Sequence, residues 1–478
     1  VSKENSAIAK EVSFGFLPVK KSERAFGFFD LLFIQVGIGI SCFGFLIGGY
    51  TGMILGAKES IAAILFGNAF PVLLIMPIAV FFARYGVDTF IGFRSSLGYR
   101  GSNLLFGLFA VLNLGFITIA CFMSGEAAAK LAGVLGAGEF LGSRSSGGPI
   151  FAVVGFLLAI YVAYKGPVAI KWLNWIGVPA FLLVMLGLIS LLLFGKGLDS
   201  VFALQPATPY ETDARSFATA LELNIGLGFS WLVYIGQYSR LAKTEKIAFT
   251  GGFWSYGVLV NVAAILGALC ALTVGSLDAS EWMMSIGGAV WGLLGLILLI
   301  VGNITGAVFL VYSQAVSFKT VFPNKKWLIA IATTIPAIIL MISPSFYDAY
   351  GTFISVVSYT MAVMGAIIIT DFFFVKKQRI TVKDLYNQYG AYRYWKGVNP
   401  SAVISFVMGT IVYWFLYNPV ADSASGLFNY LTAGLPTYFI SAITYYISAK
   451  YIFSYQADVA PTTPAEGVEA ARLDEKIG

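Results

Sequence analysis

Gln35-Val-Gly-Ile-Gly-Ile-Ser41 and Asn224-Ile-Gly-Leu-Gly-Phe-Ser230 read alike: amide, apolar, Gly, apolar, Gly, apolar, hydroxyl. They lie 189 residues apart. A second pair, Gly115-Phe-Ile-Thr-Ile-Ala-Cys-Phe122 and Gly302-Asn-Ile-Thr-Gly-Ala-Val-Phe309, shares Gly-x-Ile-Thr-x-Ala-x-Phe at an offset of 187. All four stretches sit inside long apolar runs. Two matches at nearly one offset imply a structural unit used twice. A unit of five membrane-crossing runs is odd in number, so its second copy is inverted in the bilayer, as in many secondary transporters.

The runs around these stretches fall near 27–55, 60–83, 103–129, 149–164, 168–194, 216–238, 250–275, 287–317, 327–343, 353–375, 401–418 and 428–449. Each is close to the ~20 residues that a helix needs to span a bilayer. The expected fold is an all-α polytopic membrane protein with twelve transmembrane helices. Short loops and the lack of polar–apolar alternation exclude a membrane barrel. The chain divides into a cytoplasmic N-terminal segment (1–26), a first five-helix repeat (27–194), a second inverted repeat (216–375), helices 11 and 12 (401–449) and a disordered cytoplasmic tail (458–478).

Composition agrees. The 478 residues are 58% hydrophobic and 11% charged, against roughly 25% charged in soluble domains. Of the 30 Lys and Arg residues, 25 fall on one side if the N-terminus is cytoplasmic, and five on the other. That split follows the positive-inside rule and puts both termini in the cytoplasm. It also explains the net charge of +6 without any nucleic-acid partner. No cleavable signal is expected, because residues 1–26 are polar and charged and the first apolar run is too long for one. There is no histidine, so an imidazole triad or relay is excluded. Cys42, Cys121 and Cys270 all lie in apolar runs and form no disulfide framework. No phosphate-binding loop is present, so ATP hydrolysis by that route is excluded. No convergent catalytic set exists, and the chain reads as a transporter and not an enzyme, with no cofactor.

Glycines at i and i+2 each cost a helix roughly 1 kcal/mol relative to alanine. Gly37–Gly39 and Gly226–Gly228 are therefore candidate breaks within the first and sixth spans. Unwound backbone in a membrane is tolerated where it lines a site. Its carbonyls would hold a cation and its amides a polar substrate. The competing reading is that the glycines allow close helix packing. Glu222, one turn before Gly226, is the one acid deep inside a span. An intramembrane carboxylate costs ~2.5–3.5 kcal/mol or more, which makes it a candidate proton carrier, substrate ligand or gate, or else a paired structural group. Glu126 lies nearer a span end with Lys130 at i+4, an expected interfacial pair. Asp30 and Asp371 read as structural. Ser41, Thr118, Ser230, Asn303 and Thr305 are candidate lining groups, and Phe116, Phe229 and Trp231 offer flat faces for a planar ligand.

Ile368-Ile-Thr-Asp-Phe-Phe-Phe-Val-Lys-Lys-Gln-Arg-Ile-Thr-Val-Lys-Asp-Leu-Tyr386 resembles the hallmark of the nucleobase–cation symporter family 1. Gly397-Val-Asn-Pro400 and Arg94-Ser-Ser-Leu-Gly-Tyr-Arg-Gly-Ser102 fit the same pattern, as do Gly166, Trp172, Asn174 and Pro179. The resemblance implies the LeuT-like five-plus-five inverted repeat, with helices 1 and 6 discontinuous. It also implies cation-coupled symport, by H+ or Na+, of a nucleobase or related planar N-heterocycle such as a hydantoin or allantoin. Members work by alternating access, here expected as a monomer in the inner membrane. By position, the family's sodium site falls on the carbonyls of Gly37, Ile40 and Val301 and on Ile304 and Thr305. Ile304 lacks the hydroxyl that sodium-coupled members carry. The two stacking positions fall on Phe116 and Gly228, and the polar partners on Ser41, Ala120 and Leu310. A short gap would bring Phe229 or Trp231 into the second stacking role, and Asn303 into the polar set. A same-fold transporter of an amino acid or vitamin, and a non-transporting receptor, are the alternatives.

Overall fold

The computed structural model describes residues 16–39 and 42–454. They are almost wholly helical. Seven helices are long and apolar enough to cross a membrane, and shorter apolar helices occupy Phe43–Ile54, Pro179–Leu191, Trp327–Met341 and Pro400–Leu416. The elements that build the centre are α1 (Phe28–Gly39), α2 (Cys42–Ile54), α3 (Ala57–Ile75), α4 (Tyr99–Val134), α5 (Gly147–Lys165) and α6 (Pro167–Leu191). Next come α7 (Asp213–Ser230), α8 (Leu232–Ser239), α9 (Glu245–Gly252) and α10 (Val260–Val274). A π-helical stretch, Phe253–Leu259, joins α9 to α10. The remaining elements are α11 (Ala279–Val321), α12 (Trp327–Ala332), α13 (Ala337–Met341), α14 (Tyr350–Thr370), α15 (Pro400–Leu416) and α16 (Gly434–Ile447). Within α11, Gly288 turns the chain at φ 63°, a left-handed conformation that glycine adopts without strain.

Packing sorts these helices into groups. α2 lies along α10, and α7 along α3, while α4, α5, α6 and α11 pack on one another; α14, α15 and α16 form a third set. Small residues set the first two contacts. Any Cβ at Gly48 or Gly52 would run into the backbone of Ala264 or Ala268, and one at Gly267 into that of Phe45. The backbones of α2 and α10 thus touch, as small-residue interfaces allow in membranes. A Cβ at Gly228 would lie 2.8 Å from the Asn68 carbonyl of α3.

The second repeated motif has a structural counterpart. Gly115 of α4 receives the ring of Phe353 from α14, and Gly302 of α11 receives the ring of Phe181 from α6. The third and eighth runs therefore make the same contact with the tenth and fifth. An exchange of partners of this kind is what two inverted copies demand.

The glycine pairs do not behave alike. α1 ends at Gly39 and α2 starts at Cys42; Ile40 and Ser41 lie outside the described residues. In the sixth run the helix continues straight through Gly226 and Gly228 to Ser230, and the chain is interrupted only at Trp231. The expected break at Gly226–Gly228 is corrected. A Cβ at Gly226 would lie 3.2 Å from the Ile354 carbonyl and one at Gly228 against Asn68 and Pro71, so both glycines serve close packing.

Polar groups collect at the two ends. At the basic end, Arg84 pairs with Glu245 at 2.9 Å, Arg94 donates to the Leu385 carbonyl at 3.0 Å, and Asn399 donates to the Ser96 carbonyl at 2.7 Å. Asp371 is fully buried there, accepting from Ser96 at 2.7 Å, Tyr445 at 2.7 Å and Lys376. The Arg94, Asp371 and Asn399 motifs, far apart in sequence, thus form one knot. Part of the N-terminal segment is also fixed: Val19 is buried and its N–H donates to the Gly86 carbonyl at 2.8 Å. Residues 1–15 and the tail from 455 lie outside the described residues. At the opposite end Arg144 bridges Glu126 and Asp348. Glu126 is therefore paired with Arg144, across a loop, and not with Lys130 as the i+4 spacing suggested.

Candidate functional site

Phe116 lies midway along α4 and is buried. Its ring meets the edges of Phe43 from α2 (5.2 Å, 82°) and Phe353 from α14 (5.1 Å, 78°). Three helices from three different packing groups thus converge on one aromatic ring.

Below it, toward the basic end, a buried polar chain crosses from one group to another. Asn113 donates to the Leu310 carbonyl (3.1 Å) and to Gln314 (2.8 Å) of α11, and accepts from the Tyr234 hydroxyl of α8 (3.0 Å). One helical turn further, Gln237 of α8 donates to Ser317 (2.8 Å) and accepts from Ser313 (2.7 Å). Each of these amides is satisfied, so the network is a rigid fastening.

Asn303 is different. It is fully buried on α11, and neither its Nδ2 nor its Oδ1 has a hydrogen-bond partner among the described residues. Asn303, Ala307, Leu310 and Gln314 share one helix face, the one that meets Asn113 on α4. The antiparallel register follows from Asn113 with Leu310 and from Ser124, which donates to the Ile300 carbonyl at 3.4 Å. Asn303 is therefore level with Ala120, one turn from Phe116. A buried unpaired amide costs roughly 1–3 kcal/mol per polar group. The Trp231 indole N–H and the Tyr256 hydroxyl are also buried without partners among the described residues, their rings stacked at 4.4 Å and 14°. Gln35 of α1 has both amide atoms in the same condition.

The residues expected from sequence distribute as follows. Phe116 and Ala120 lie one turn apart on α4, and the register puts Asn303 of α11 level with Ala120. Ser41 and Ile40 lie outside the described residues. Gly228 faces α3, and Phe229 stacks on Tyr438 of α16 (5.4 Å, 15°), so neither ring nor glycine turns toward Phe116. Trp231, near Tyr234 at 6.4 Å, is the aromatic on the side of Asn113. Glu222 is buried, and one carboxylate oxygen accepts from the backbone N–H groups of Ala433 and Gly434, each at 2.9 Å; Ser358 approaches the other at 3.5 Å. It caps the N-terminus of α16, where amides are free and the helix dipole favours an anion. Of the alternatives open for Glu222, its partners among the described residues are those of a paired structural carboxyl, here a helix cap.

Of the expected cation set, Ile40 lies outside the described residues and the members on α11 are engaged within their own helix. The Thr305 hydroxyl donates to the Val301 carbonyl at 2.8 Å within unbroken helix, and Ile304 packs toward Gly155 of α5. Gly37 lies in the last turns of α1. Sequence reasoning passed over Asn113, Gln314, Tyr234 and Tyr256. Their signal was available as single polar groups inside apolar runs, but nothing local distinguishes a satisfied amide from an open one.

The profile of a family described as permease for cytosine/purines, uracil, thiamine and allantoin matches residues 18–447. A hydantoin permease of Microbacterium maritypicum is 22% identical, over 96% of this chain and 96% of that one. An allantoin permease of Bacillus subtilis (strain 168) is 25% identical over 71% of this chain and 74% of its own length. Among solved structures, a nucleobase–cation-symport-1 family transporter, in a closed conformation with bromovinylhydantoin bound, superposes with a TM-score of 0.76 at 18% identity. That match covers 95% of this chain and 99% of the other. The paired contacts of the repeats, the polar knot at the basic end and this match across nearly the whole chain agree: the protein is a polytopic membrane permease and belongs to the cytosine/purine, uracil, thiamine and allantoin permease family.

Proposed function

We propose that the protein is a cation-coupled symporter of a planar N-heterocycle, such as a hydantoin, allantoin or nucleobase, working by alternating access. The observation that carries this reading is Asn303, buried with neither amide atom paired among the described residues and level with Ala120, one turn along α4 from Phe116. A heterocycle that stacks on an aromatic face and presents ring N–H and C=O groups satisfies such an amide twice over. The relatives named as hydantoin and allantoin permeases support that ligand class. Phe116, Ala120, Asn303, Ser41 and Trp231 line this site in the proposal.

The transporting unit is twelve helices in the inner membrane with both termini cytoplasmic, acting as a monomer. The first, second, sixth and seventh spans (α1, α2, α3, α7, α8 and α10) would move as one body against the third, fourth and eighth (α4, α5 and α11) and the ninth. The Asn113–Tyr234 and Gln237–Ser317 bonds fasten these bodies on the basic side. Rocking would break those bonds and free a path to the cytoplasm. The coupling cation is H+ or Na+. Val301 and Thr305 supply two of the oxygens that a hard cation favours, and Glu222, held by two amides, keeps its structural duty.

The test is a thermal-shift panel on the purified protein: hydantoins, allantoin, nucleobases, amino acids and vitamins, each with and without sodium. A selective binder raises apparent stability by mass action. Stabilisation confined to planar N-heterocycles supports the proposal. Stabilisation by amino acids or vitamins alone replaces it with the same-fold alternative.

A further inference from the structure

At the basic end of the bundle, a groove of about 670 Å³ opens between the first turns of α4 and α15. Its wall is apolar: Leu104, Val403, Ile404 and Trp395, with Leu104 69% and Trp395 68% exposed. Arg100 and Lys396 stand at its rim, and an adjoining hollow adds Arg393. All three cations are exposed, none takes part in the ion pairs of the described residues, and no Asp or Glu lines either hollow. The rim is built firmly. The Gly397 carbonyl accepts from the N–H groups of Arg100 (2.8 Å) and Gly101 (3.2 Å), and Trp395 and Val398 close the turn between them.

The geometry points to a binding site for an anionic phospholipid of the leaflet on that side. An acyl chain lies along Leu104, Val403 and Ile404, which are exposed side chains of the apolar spans. The phosphate then meets Arg100, Arg393 and Lys396 at the depth where headgroups begin. Basic pockets between transmembrane helices on the cytoplasmic side recognise acidic headgroups in this way. A soluble anion would use the cations and leave the apolar wall bare, so the continuous pairing of wall and rim selects a lipid. Two helices that open from different parts of the chain, α4 and α15, would be bridged by it.

The experiment is native mass spectrometry of the delipidated full chain titrated with phosphatidylglycerol or phosphatidylcholine. The expected result is at least fivefold preferential retention of phosphatidylglycerol. Arg100→Gln, Arg393→Gln and Lys396→Gln should each reduce it roughly fivefold, the effect of about one surface cation. Inorganic phosphate at millimolar concentration should not displace it. Equal retention of the two lipids, unchanged retention in all three variants, or full displacement by inorganic phosphate would each overturn the assignment. If Arg100→Gln misfolds, Arg393→Gln and Lys396→Gln still decide it, because both side chains are exposed and lie outside the long helices.

Discussion

Removing the Glu222 carboxylate should loosen the last helix before it touches transport. In Glu222→Ala the N–H groups of Ala433 and Gly434 lose the oxygen that each reaches at 2.9 Å. A buried N–H left without its acceptor costs about 1–3 kcal/mol. The site is buried, so water does not replace what is lost. Two such groups give a destabilisation of about 3–5 kcal/mol, allowing for non-additivity. Glu222→Gln keeps a carbonyl oxygen but sets an amide NH2 where the second carboxyl oxygen meets Ser358, which should cost about 1–2 kcal/mol. Two assays read this: thermal unfolding of the purified protein, and amide hydrogen exchange over residues 428–440. The account predicts Ala below Gln below wild type in melting temperature, with early exchange at 433 and 434 in Glu222→Ala. Wild-type melting and wild-type protection at those amides would refute the cap. Loss of gradient-driven accumulation in a Glu222→Gln protein of near-wild-type stability would return Glu222 to the coupling machinery.

Three further outcomes are expected. Phe116→Ala should weaken heterocycle binding by ~1–3 kcal/mol, the range for loss of one aromatic stacking face, measured by calorimetry on a variant that melts like wild type. Asn303→Leu should separate stability from affinity: removing an unpaired buried amide raises the melting point by the equivalent of ~1 kcal/mol, while heterocycle affinity falls at least tenfold. Gly48→Leu should cost at least ~3 kcal/mol, because it overpacks a backbone contact with Ala264; Gly107→Ala on α4, where a Cβ meets nothing within 4 Å, should stabilise by up to ~1 kcal/mol.

Much of the fold was written in period and charge. The offset between Gly115 and Gly302 pointed to equivalent helices, and the structure gives both the same aromatic partner, Phe353 and Phe181. What the motifs could not say was which way a residue faces. Gly228 and Phe229 lie in the right helix but turn to α3 and α16, because helix rotation is set by the neighbours and not by the helix itself. Glu222 looked functional because no partner lies near it in sequence; its partners are backbone amides 211 and 212 residues away, which no side-chain pattern reveals. Glu126 erred in the same way, with a local candidate in Lys130 and its actual partner, Arg144, across a loop. Asn303 was legible as a polar group at depth, but only its surroundings distinguish an open amide from the satisfied Asn113.

The central claim is that a planar heterocycle crosses the membrane on this chain under a cation gradient. The direct measurement is uptake of labelled hydantoin, allantoin and cytosine into liposomes holding the purified protein. A sodium gradient and a pH gradient are imposed one at a time. The account predicts accumulation of at least one heterocycle above equilibrium under one of the two gradients, counterflow when the liposomes are preloaded with unlabelled compound, and loss of both in Asn303→Leu. Binding of a heterocycle with no accumulation under either gradient and no counterflow would contradict it, and would leave a receptor on a transporter's fold.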